Sequence, residues 1–127
     1  MSRLKDIVID CTDAWTLASW WAPVLGYQMR VYTEDDLAKL RAQGIERPED
    51  DPDVALDPID EPGPSFWFCE VPEPKSVKNR VHIDVLGDLD DLLARGATHL
   101  ATFPKWAVLA DPEGNEFCLF PPDPMPV

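Results

Sequence analysis

The stretch Asp111-Pro-Glu-Gly-Asn-Glu-Phe-Cys-Leu-Phe120 decides how the chain is read. Its first four residues predict a tight turn, with Pro112 presetting φ early and Gly114 accepting a positive φ at the end. Asn115 to Phe120 is aromatic-rich and stops at Pro121, the pattern of a strand. Period two then places Glu116, Cys118 and Phe120 on one face and Asn115, Phe117 and Leu119 on the other. A carboxylate fixed among bulky apolar residues needs either a partner or something to coordinate.

The chain before this stretch divides into two similar halves. In the second, alternation over residues 81–86 predicts a strand with Val81, Ile83 and Val85 on one face and His82, Asp84 and Leu86 on the other. Asp88 caps a short helix that Gly96 ends, and residues 98–103 and 106–110 predict two further strands. In the first half, residues 4–11 alternate, with Ile7, Ile9 and Cys11 opposite Asp6, Val8 and Asp10. Thr12 or Asp13 caps a helix over 14–25, apolar at Trp15, Ala18, Trp21, Ala22 and Leu25; Gly26 ends it and Pro23 should disturb its last turn. Strands follow at 27–32, 54–58 and 65–71, the last strongly aromatic. Each half therefore runs strand, helix, three strands. The first carries an inserted helix, capped by Thr33 and stopped by Gly44, and an acidic, proline-containing loop within 33–52. The Asp and Glu run of that loop reads as solvated surface. The expected class is α+β: one domain over 1–127, with module one at about 3–72, module two at about 79–121 and a loose tail at 122–127.

The length of 127 residues, 45% hydrophobic content and five Trp suit one domain with a real core. A formal charge of −13 argues against nucleic acid and against an anionic membrane surface. No apolar run approaches the ~20 residues that span a bilayer, and the N-terminus lacks a signal peptide's apolar stretch. A cytoplasmic protein is the expectation. Cys11, Cys69 and Cys118 lie in apolar runs without a Cys-x-x-Cys pair, which favours reduced, buried thiols.

The helix of each half should cover the apolar face of the opening strand, leaving Asp6 and His82 on the opposite faces. With Glu116 from the closing strand, one imidazole and two carboxylates make a mixed N/O set for a divalent metal. Each also has a plain structural reading: a hydrogen-bonded strand histidine, an Asp paired with a surface Lys, and a Glu116 ion pair with Arg80 or Lys105. Residues 72–80 form a basic connector in which Lys75, Lys78 and Arg80 serve either as an anion-steering rim or in internal ion pairs.

Five segments together resemble the vicinal oxygen chelate superfamily, in its glyoxalase-like branch with the bleomycin-resistance proteins. They are Ile7-Val-Ile-Asp-Cys-Thr-Asp13, Trp20-Trp-Ala-Pro-Val-Leu-Gly-Tyr27, Val71-Pro-Glu-Pro-Lys75, Lys78-Asn-Arg-Val-His-Ile-Asp84 and Asp111-Pro-Glu-Gly-Asn-Glu-Phe117. The resemblance covers nearly the whole chain and implies two βαβββ modules whose eight strands form a cupped, partly open mixed sheet, the glyoxalase / bleomycin-resistance / extradiol dioxygenase fold. It places metal ligands at Asp6, where metal-binding members commonly have His, at His82 and at Glu116. Cys69 or Glu70 falls at the fourth-ligand position. With only His82 and His99 in the chain, true glyoxalase I and extradiol dioxygenase are disfavoured. Zinc, manganese, nickel or magnesium is the implied cofactor.

Two functions follow from the resemblance. One is a metal-dependent lyase or isomerase acting on a small oxygen-chelating substrate, with Glu116 as ligand and proton shuttle. The other is a metal-free protein that sequesters an aromatic or cationic small molecule. For it Phe66, Trp67, Phe68, Phe103 and Trp106 are the candidate pocket aromatics, each with ordinary core packing as its plain alternative. The family also implies a homodimer.

Overall fold

A computed structural model describes residues 1–122; of the tail expected to be loose, residues 123–127 lie outside the described residues. The chain divides into two compact units, Met1–Pro74 and Lys75–Val127. Each holds a four-stranded mixed sheet, and the two sheets share one strand order, first-fourth-third-second. The architecture is α+β in two βαβββ modules.

In the first unit, β1 (Asp6–Cys11) lies parallel to β4 (Ser65–Glu70), which pairs antiparallel with β3 (Asp53–Pro58), itself antiparallel to β2 (Tyr27–Met29). The register puts Ile7 beside Phe66, Ile9 beside Phe68 and Val54 beside Phe68, so these side chains share one face. Helix α1 (Ala14–Leu25) covers that face with Ala14, Leu17, Ala18 and Trp21, all buried. Its boundaries follow from its sequence. Asp13 accepts a hydrogen bond from the Thr16 N–H, and Gly26, at φ 71°, takes the left-handed turn that a side chain would oppose. Pro23 lies inside the helix, which nevertheless runs on through Leu25.

Glu70 makes a second cap. Its Oε2 accepts the Ala14 N–H at 3.0 Å, at the positive end of the helix. Glu70→Ala should therefore lower stability by ~1 kcal/mol in chemical denaturation. Glu70→Gln, which keeps an acceptor, should recover most of that loss.

Helix α2 (Glu34–Ala42) starts at a full capping box, Thr33 with Asp36, and buries Leu40. The acidic loop after it contains a single 3-10 turn, Pro48–Asp50. Glu46, Glu49 and Asp50 are exposed as expected, but Asp51 is not. It is buried, accepting from the Tyr32 hydroxyl at 2.8 Å and from the Asp53 N–H at 2.9 Å. A carboxylate with two donors tolerates burial, which a count of acidic residues does not reveal.

In the second unit, β5 (Asp84–Leu86) lies parallel to β8 (Glu116–Phe120), followed by β7 (Ala107–Ala110) and β6 (Thr98–Thr102). Phe117 and Leu119 pair with Leu109 and Ala107 on the buried face, and Val85 lies beside Leu119. Helix α3 (Leu89–Ala94), capped by Asp88, adds Leu92 to this core. The strand expected over 81–86 is only half as long as its alternation suggests. Val81 is exposed, and His82 precedes the strand instead of lying on it. Pairing with β8 extends only to the Ile83 carbonyl, and upstream of it the Asn79 N–H donates to the Glu116 carboxylate, at 3.2 Å.

No helix among the described residues is long and apolar enough to cross a membrane.

Candidate functional site

Since α1 covers one face of the first sheet, the even-odd rule sends Asp6, Val8, Asp53, Ala55, Trp67 and Cys69 to the other. Trp67 is thereby separated from its neighbours. Phe66 is 5% exposed and Phe68 is fully buried, so both are core residues and not pocket aromatics.

Around Trp67 the first unit forms a cavity of about 240 Å³, lined by Arg30, Tyr32, Lys39, Leu40, Ala55 and Trp67 together with Asp36, Asp51 and Asp53. Arg30, the residue after β2, has its guanidinium carbon 5.1 Å from the centre of the Trp67 ring. Its Nε and Nη2 donate to the two oxygens of Asp57, at 2.9 and 2.8 Å, and Ser65 donates to the same carboxylate at 2.6 Å. The bidentate Arg30 bond holds the Asp57 carboxyl at about 2, below its ordinary 3.8. A depressed folded-state value means that this contribution to stability is present above the ordinary carboxyl range and is lost as pH falls toward 2. NMR titration of Asp57 should show that low midpoint, and Arg30→Gln should return it toward 3.8.

Tyr32 leaves the sheet to reach Asp51, and burial, then that hydrogen bond, raises its phenol above the ordinary range. Cys69, on the same face, is pushed up to about 11, first by burial and then by its hydrogen bond to Asp53. At neutral pH it is a thiol.

The second unit carries the other chemical groups. The turn before β8 forms as its sequence predicts. Gly114 N–H donates to the Asp111 carbonyl at 2.9 Å, with Gly114 at φ 88°. Asp111 is 3% exposed, and its Oδ1 accepts the backbone N–H groups of Glu113 and Asn115, both at 2.9 Å. This fixes Asn115, which in turn accepts from Asn79 Nδ2 at 3.1 Å. Glu116 follows, and Lys75 Nζ lies 2.7 Å from its Oε1. The ammonium holds the Glu116 carboxyl below its usual range, helped by the Asn79 N–H. The partner is thus Lys75, not Arg80 or Lys105.

Lys75 consequently belongs to an internal ion pair rather than to an anion-steering rim, while Lys78 donates to the Asn79 carbonyl at 3.2 Å and Arg80 is exposed. Asp6 pairs with its neighbour Lys5 in the first unit. His82 Nε2 lies 3.2 Å from Asp84 Oδ1. Trp106 stacks on Phe103 at 4.8 Å, beside a shallow apolar depression in the second unit that includes Leu89, Pro104 and Leu119. His99 bonds Thr102 Oγ1 at 2.7 Å.

A mixed N/O metal centre needs donor atoms free to face the ion. Glu116 has an ammonium on one oxygen and an N–H on the other, and Glu70 caps α1. As arranged, Glu116 and Glu70 do not fit a divalent ion, because each is committed to a proton-bearing partner.

Two βαβββ modules with this strand order define a protein of the vicinal oxygen chelate class. Within it, the chain belongs to the glyoxalase-like domain family, whose model matches residues 6–120. Similar solved structures include a glyoxalase/bleomycin resistance protein/dioxygenase family enzyme from Burkholderia phytofirmans PsJN. It is 21% identical, with a TM-score of 0.58 over 93% of this chain and 97% of that one. The fosfomycin resistance protein FosX from Mesorhizobium loti is 14% identical, with a TM-score of 0.62 over 98% and 94%. A mutant FosX from Listeria monocytogenes, solved with Mn(II) and dihydroxypropylphosphonic acid, is 11% identical, with a TM-score of 0.60 over 98% and 93%. At these identities the likeness is one of fold. No curated protein matches the sequence.

Proposed function

We propose that this chain is a small-molecule-binding protein of the glyoxalase-like family that takes its ligand in the cavity of the first unit without a metal. The cavity carries this reading. Its volume of about 240 Å³ suits a ligand smaller than a typical drug, and Trp67, Ala55 and Leu40 supply the apolar wall. Arg30 is already neutralised by Asp57, so the lining sets Asp36, Asp51 and Asp53 against Lys39. That balance favours an aromatic ligand bearing an amine or amidine. Independently, the Lys75 ammonium lies against Glu116, where the family's ligand pattern would call for a metal.

The second reading is a metal-dependent lyase or isomerase of an oxygen-chelating substrate, using Asp6, His82 and Glu116. The family match favours it. A thermal-shift screen of chelator-treated protein separates the two. Aromatic amines should raise the melting temperature equally with and without added manganese or zinc. Stabilisation by dicarbonyl or hydroxy-acid compounds that depends on the metal would instead establish the second reading.

A further inference from the structure

We infer that His82, Asp84 and Cys118 form a site for a thiophilic divalent cation, zinc by preference. This site does not depend on ligand binding in the first unit. β5 and β8 are parallel, and Asp84 and Cys118 are register partners, so their side chains leave the same face. The pairing continues one residue beyond the strand, with the Cys118 N–H donating to the Ile83 carbonyl at 3.0 Å. His82, two positions before Asp84, lies beside it, with its Nε2 3.2 Å from Asp84 Oδ1. One donor atom from each residue lies within 4.8 Å of the other two. Bonds of ~2.0–2.3 Å in a tetrahedral shell separate ligand atoms by roughly 3.3–3.8 Å. His82 Nε2 and Asp84 Oδ1, 3.2 Å apart, already stand near that spacing.

The donor types fit the ion. Imidazole, carboxylate and thiolate form an N/O/S set that zinc accepts and that magnesium or calcium does not. His82 and Asp84 are 42% and 57% exposed in their side chains, so an ion can enter and a water can complete the shell. Binding displaces the Cys118 thiol proton to solvent, leaving a thiolate–metal bond. The set shares His82 with the pattern the family implies, but Asp84 and Cys118 replace Asp6 and Glu116. Glu116 is excluded by its own partners, Lys75 and Asn79.

The test uses the full chain, stripped with a chelator and titrated with Co²⁺. We expect one ion per chain, with thiolate-to-cobalt charge-transfer and tetrahedral d–d absorption that zinc abolishes by displacement. Cys118→Ser should remove the charge-transfer band, and Cys69→Ser should leave it intact. His82→Ala and Asp84→Asn, both at exposed positions, should each weaken binding about tenfold or more. Circular dichroism checks the fold of each variant. The proposal is overturned if cobalt binds without a thiolate band or does not bind at micromolar concentration. It is also overturned if Asp6→Asn and Glu116→Gln abolish binding while Asp84→Asn does not.

Discussion

Phe68→Ala is expected to destabilise the protein by about 3–5 kcal/mol, most of the margin of an ordinary domain. Phe68 is fully buried at the centre of β4, flanked in register by Ile9 and Val54 and covered by α1. Removing its ring takes away transferred apolar surface and also leaves a cavity that rigid sheet neighbours cannot fill. Urea denaturation should show an earlier midpoint with little change in slope. Phe68→Leu, which keeps most of the volume, should recover more than half of the loss.

Trp67→Ala, one residue away, should behave in the opposite manner. Trp67 points away from α1 into the cavity, beneath the Arg30 guanidinium. Its removal should change stability by about 1 kcal/mol, within the range of a typical substitution. It should also weaken binding of an aromatic amine by about tenfold or more, because stacking and cation–π contact are lost together. Calorimetric titration of both variants reads the contrast directly. If Trp67→Ala unfolds the protein while Phe68→Ala leaves it intact, the assignment of the two sheet faces is wrong.

Much of this was legible in local sequence. Helix α1 has the boundaries its Asp13 cap and Gly26 stop predict, and Asp111 to Gly114 turns as the positions of its proline and glycine require. The burial of Phe117 and Leu119 against the partial exposure of Glu116, Cys118 and Phe120 follows from period two alone. The same rule applied to β4 separates Trp67 from Phe66 and Phe68, which residue type alone groups together.

What local pattern cannot supply is the partner. Lys75 with Glu116, Tyr32 with Asp51, Arg30 with Asp57 and Glu70 with Ala14 all join residues far apart in the chain that only the fold brings together. Their chemistry changes accordingly: a candidate metal ligand becomes half of an ion pair, and an acidic surface residue becomes buried. His82 shows the same limit. Alternation continues through it, yet the strand stops short of it, and Asn79 bonds instead to the side chain of a residue far along the chain.

The central claim is that the first unit's cavity binds a small aromatic cation without a metal. Protein-observed NMR of the full chain, titrated with a panel of aromatic amines and amidines in the presence and absence of EDTA, tests it most directly. The predicted result is a set of saturable shifts at Arg30, Tyr32, Ala55 and the Trp67 indole N–H, identical in both conditions. Signals there that stay unmoved, or that move only after a divalent ion is added, would contradict the account.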